Sequence, residues 1–122
     1  MKELFLVFIG GGIGSTIRYS LSAVPILKSA NNFPIATFVC NLLGCMLIGS
    51  FYALSTKFGW SNNVRLLLTV GLCGGFTTFS TLSNETLSLI RNGMITTAVF
   101  YIISSVILGI LMVFAGQWLF TK

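Results

Sequence analysis

The side chains of this 122-residue sequence that could do chemistry fall into three groups. The first is Gly74-Gly75-Phe76-Thr77-Thr78-Phe79-Ser80-Thr81-Leu82, where glycines and hydroxyls interrupt an apolar run, with Glu85 close behind. The second is Thr37 with Asn41, one helical turn apart and so on one face. The third is Thr97, Tyr101 and Ser105, which recur every four residues, with Gly109 continuing the row. Hydroxyls, an amide and one acid are hydrogen-bonding groups. They suit the holding of a small polar species better than the breaking of bonds. General acid–base catalysis draws mostly on histidine or paired carboxylates, and this chain has no histidine and only Glu3 and Glu85 as acids. Cys40, Cys45 and Cys73 form no C-x-x-C pair. They read as free thiols serving as small apolar residues in packed helices. No enzyme is expected.

The elements that must position these groups follow from composition. Hydrophobic residues make up 55% of the chain and charged residues 7%, against roughly 25% charged in soluble domains. That is a membrane protein, and at ~20 residues per span it holds about four spans in one domain covering 1–122. The apolar run behind Lys2 outlasts the ~7–15 residues of a signal-peptide core, so it reads as a mature span. Span one covers about 4–24 and stops at Pro25, with Gly10 and Gly14 at small-xxx-small spacing. Span two covers about 33–55, with Pro34 in its first turn. Span three covers about 64–90 and is split by the glycine-hydroxyl stretch. Span four covers about 95–120. A backbone that leaves the helix at membrane depth must find its hydrogen bonds inside protein or beside water, so such a stretch points to a site or pathway.

The net charge of +5 is spread over seven isolated basic residues, with no cluster suited to nucleic acid. Sorted by membrane side, Lys2, Lys57, Arg65 and Lys122 oppose Arg18, Lys28 and Arg91. Lys and Arg excess sets orientation, and an excess of one orients little. Dual topology is therefore expected, with a copy pairing against its inverted copy about an axis in the membrane plane. The fold class is accordingly all-α integral membrane: four transmembrane helices per subunit, the third broken near its middle, assembled as an inverted dimer.

These residues resemble a known family. The glycine-rich start with Arg18-Tyr19, then Pro34, Thr37 and Asn41-Leu42-Leu43-Gly44, the stretch from Gly74 to Thr81, Glu85, and Tyr101 with the last-span serines are similar to the small bacterial fluoride channels called Fluc or CrcB. The resemblance spans nearly the whole chain. It implies a dual-topology homodimer in the bacterial inner membrane with two fluoride pathways, each lined by both subunits, that let trapped fluoride leave the cytoplasm passively. It also implies that Asn41, Ser80, Thr81, Tyr101 and Ser105 supply donors that replace the ion's hydration shell. Phe79 would present a ring edge, the positive end of its quadrupole, and Arg18 would concentrate anions in a vestibule. Glu85 would form a polar track with Thr81 and Thr37. Backbone carbonyls of Gly74 and Thr77 from both subunits would hold a structural sodium ion on the dimer axis.

The chain departs from the family pattern at Leu82, where a second phenylalanine is usual, and at Ala36, usually glycine; Gly109 stands where a hydroxyl sometimes continues the track. Three rival readings stand beside this one. A small multidrug-type transporter needs a membrane glutamate in its first span, which this chain lacks. Half of an obligate paralogue pair fits the missing phenylalanine. A structural subunit leaves the polar stripes without a purpose. For Glu85 the rival is a helix-end acid snorkelling near Arg91.

Overall fold

The computed structural model describes residues 1–27 and 33–121. Lys28 and Lys122, two of the charges weighed for topology, lie outside the described residues. The first helix, α1 (Lys2–Ser22), gives way to a short 3₁₀ turn over Pro25–Leu27. Pro34 stands just ahead of α2 (Ile35–Phe58), at the cap rather than in the first turn. It fits either way, because the first amides of a helix lack intrahelical partners. Gly59, with φ of 61°, ends α2 in a left-handed turn that a side chain would disfavour.

The third apolar segment is composite. Ser61 caps α3 (Asn62–Arg65) by accepting the Val64 N–H at 3.3 Å. The chain then runs as a π-helix over Leu66–Cys73 and returns to α-geometry in α4 (Gly74–Phe76). Thr77 and Thr78 are extended, with ψ of 159° and 124°. Thr78 caps α5 (Phe79–Arg91), and Gly93, at φ 76°, turns the chain into α6 (Ile95–Thr121). Among the described residues, Lys2–Ser22, Ile35–Phe58, Asn62–Arg91 and Ile95–Thr121 are each long and apolar enough to cross a membrane. The boundaries match the sequence reading to within a few residues. The π-helix had no marker in the sequence.

Glycines set the helix packing. A Cβ on Gly10 would stand 2.5 Å from the Leu67 carbonyl oxygen, and one on Gly14 would overlap the Leu72 carbonyl. That small-xxx-small face therefore presses α1 onto the π-helix backbone, as the spacing predicts. Gly49 meets the Val113 backbone and Gly116 meets Met46 and Ser50, so α2 and α6 also lie backbone to backbone. Close approach of this kind replaces the hydrophobic drive that lipid does not supply. At one end, Leu82, Leu89, Ala98 and the fully buried Tyr101 form a core. Phe33 meets the Tyr101 ring edge-on at 5.2 Å between centroids.

Candidate functional site

The extended link at Thr77 and Thr78 would leave backbone groups unpaired in a low-dielectric setting, which is costly. Asn41 on α2 resolves this. Its Oδ1 accepts the Thr78 N–H at 2.8 Å, and its Nδ2 donates to the Thr78 carbonyl at 3.1 Å. One Nδ2 hydrogen is thereby used and a second remains. Thr78 Oγ1 in turn accepts the Thr81 N–H at 3.2 Å, capping α5. Thr78 also donates to Thr81 Oγ1 at 3.1 Å, which leaves the Thr81 proton for another acceptor. The Ser80 hydroxyl lies 3.3 Å from Thr78 Oγ1, on an exposed residue.

These bonds have a second effect. In an unbroken α-helix the Thr78 N–H would go to the Gly74 carbonyl and the Thr81 N–H to the Thr77 carbonyl. Here both amides are diverted to side chains. Gly74 and Thr77 thus present carbonyl oxygens without their in-helix partners, and Gly74 is exposed. Hard carbonyl oxygens of this kind fit an alkali cation. Among the described residues no group of three or more His, Cys, Asp or Glu could hold a metal.

Two cavities adjoin the break. One, of about 350 Å³, is bounded by Asn41, Cys73, Thr78, Phe79, Leu82 and Ser105. The Ser105 Oγ is buried with no hydrogen-bond partner. Such an orphan at the edge of a cavity is a donor waiting for an acceptor. Phe79 is 78% exposed, its ring standing on the outside of the chain. Leu82 behaves differently: it is 6% exposed and packs into the Tyr101 core while also bounding this cavity.

The other cavity, of about 640 Å³, is bounded by Arg18, Thr37, Cys40, Thr81, Glu85 and Asn92, among others. Glu85 accepts from Tyr101 Oη at 2.9 Å through one oxygen and from Thr37 Oγ1 at 3.1 Å through the other. Its partners are hydroxyls, and it makes no ion pair with Arg91. Charge-assisted bonds of this sort are stronger than neutral ones, and they commit the Thr37 and Tyr101 protons to the carboxylate. Arg18 faces the same cavity and donates from Nε to the Gly75 carbonyl at 3.3 Å.

The site residues named from sequence therefore gather into two neighbouring groups. Asn41, Gly74, Thr77, Phe79 and Ser105 bound the smaller cavity. Arg18, Thr37, Thr81 and Glu85 bound the larger, with Tyr101 reaching Glu85 from behind. Ser80 joins through Thr78. Sequence reasoning passed over Thr78 and Ser15, whose Oγ also donates to the Gly75 carbonyl at 3.3 Å. A capping signal, Thr78 ahead of the 79–91 helix, was available for the first. Ser15 had none.

Four helices long and apolar enough to cross a membrane, bordering donor-bearing cavities, define a multi-pass membrane protein. The sequence model of the family described as CrcB-like protein, Camphor Resistance (CrcB), matches residues 5–117, and the chain belongs to that family. It is 52% identical over 119 residues to the fluoride-specific ion channel FluC of Phocaeicola vulgatus, covering 98% of each chain. It is 47% identical to FluC of Bacteroides fragilis, over 98% of this chain and 96% of that one. FluC of Thermus thermophilus is 42% identical, over 95% of this chain and 93% of its own.

Proposed function

We propose that this chain is a fluoride-selective channel of the bacterial inner membrane that lets fluoride leave the cytoplasm passively. The observation that carries the reading is the Ser105 hydroxyl, buried without a partner in a cavity shared with Asn41 and Phe79. Fluoride is small and strongly hydrated, so a dry passage must offer donors in place of water. Ser105, the second Asn41 N–H, the Thr81 proton and Ser80 are such donors, and the edge of the Phe79 ring adds a positive quadrupole end. Arg18 in the larger cavity raises the local anion concentration. Thr37 and Tyr101 act through Glu85, whose negative charge they share.

The assembly in this reading is an inverted homodimer, and the interruption at Thr77 and Thr78 is the functional break of the third span. The exposed Ser80 and Gly74 support it, because a hydroxyl and a free carbonyl at membrane depth call for protein rather than lipid beside them. A structural sodium ion would be held by the Gly74 and Thr77 carbonyls of both copies. Its contribution would be to bind the carbonyls of two breaks together. It takes no part in conduction.

The test is reconstitution of the purified chain alone in liposomes, with fluoride and chloride efflux read by ion-selective electrodes. Fast fluoride loss with chloride retained is expected. Folded protein that releases no fluoride would overturn the reading and favour an obligate paralogue partner.

A further inference from the structure

The Gly75 carbonyl is the acceptor that α4 loses at its end. In a continuous helix it would take the Phe79 N–H, but the extended link carries that amide away. Two side chains from α1 converge on this oxygen: Ser15 Oγ at 3.3 Å and Arg18 Nε at 3.3 Å. A carbonyl oxygen has two lone pairs, so both bonds can form together. Their approach is set by a third contact. A Cβ on Gly75 would fall on the Gly11 carbonyl and within 2.9 Å of the Gly11 Cα, so only a glycine at position 75 lets α1 come this close. Gly11, Ser15 and Arg18 stand at i, i+4 and i+7, one stripe of one helix face.

We infer that Ser15 and Arg18 are positioning residues: they clamp the Gly75 carbonyl and thereby fix the broken end of α4. This role deepens the channel reading above and rests on it for its functional consequence. It differs from the vestibule charge. The end of α4 carries a partial negative charge that a guanidinium offsets. The clamp also needs a donor at the Arg18 Nε position, which a lysine ammonium does not reproduce. The neighbouring carbonyls of Gly74 and Thr77 inherit their placement from the one that is held.

Two measurements test this. The Gly75-Phe76 peptide is the only Gly-Phe pair in the sequence. Labelling with ¹³C-carbonyl glycine and ¹⁵N-phenylalanine therefore isolates the Gly75 carbonyl in solid-state NMR of proteoliposomes. Ser15→Ala and Arg18→Lys are each expected to move that resonance, while Ser20→Ala, at an exposed hydroxyl bonded to its own helix, leaves it in place. Fluoride efflux per folded protein is expected to fall about fivefold in Ser15→Ala, the order of one lost hydrogen bond. Arg18→Lys is expected to fall at least as far, with the loss unchanged by added salt. A resonance unmoved in both variants overturns the clamp whatever the protein conducts. Wild-type efflux retained in Arg18→Lys, with Arg18→Gln slowed only at low salt, would reduce Arg18 to a vestibule charge and also overturn it. A wild-type chain that passes no fluoride but shows the shifts would sink the channel reading and leave the clamp standing.

Discussion

Replacing Asn41 with alanine removes both bonds that hold Thr78, at 2.8 and 3.1 Å. The backbone of Thr78 then keeps a partly buried N–H and carbonyl without partners. Each such group costs about 1–3 kcal/mol, so the pair costs about 2–6 kcal/mol. At ~1.4 kcal/mol per tenfold change, even the low end cuts the population of intact breaks by about 30-fold. Thr78 also caps α5, so its displacement adds a loss of about 1 kcal/mol at the helix start. Fluoride efflux from liposomes, normalised to folded protein eluting as wild type in size-exclusion chromatography, should fall by at least this factor. Asn41→Asp is a useful partner. It keeps an acceptor for the Thr78 N–H but sets an oxygen against the Thr78 carbonyl, so it should recover little. Asn41→Ala conducting within about twofold of wild type, with thermal stability unchanged, would show that Asn41 does not hold the break, since no pair of such bonds is that cheap to lose.

Glu85→Gln should slow fluoride efflux, and Tyr101→Phe should slow it less by removing one of the two bonds to the carboxylate; untouched rates in both would place Glu85 outside the pathway. Leu82→Phe should raise fluoride throughput in the same liposome assay by restoring a ring at the smaller cavity. Because Leu82 also packs against Tyr101, thermal unfolding should show a cost of about 1–3 kcal/mol from overpacking. Gly14→Ala should abolish a stable fold, since its methyl overlaps the Leu72 carbonyl and would stand 2.8 Å from the Phe76 N. Gly12→Ala, with nothing within 4 Å of the new methyl, should be neutral or stabilise by about 0.4–1 kcal/mol in the same melt.

The helices and the close-packing face of α1 were legible because both depend on local pattern. Apolar length defines a span, and Gly10 with Gly14 defines a face. The grouping of Thr37, Thr81 and Glu85 was legible for a related reason: polar residues inside a span must face one another. What escaped was pairing across long separations. Asn41 and Thr78 are 37 residues apart, and nothing local says that an amide will be spent on a backbone rather than offered to an ion. Ser15, 60 residues from Gly75, is an ordinary helix serine until the break is in view. The burial of Leu82 was hidden for another reason. Its position on α5 is set by how far the extended Thr77-Thr78 link turns the helix, and no residue type encodes that angle.

The bonds to Glu85 also bear on the order in which the protein is made. Thr37 precedes the acid by 48 residues and Tyr101 follows it by 16, on either side of the span that carries it. A nascent chain delivering its spans in sequence therefore places the acid in the bilayer with one hydroxyl already waiting. The second arrives only with α6, a helix without a single charged residue. Of the four spans, α6 is thus the one that completes the contact, so the tertiary structure closes around Glu85 only after α6 has been made.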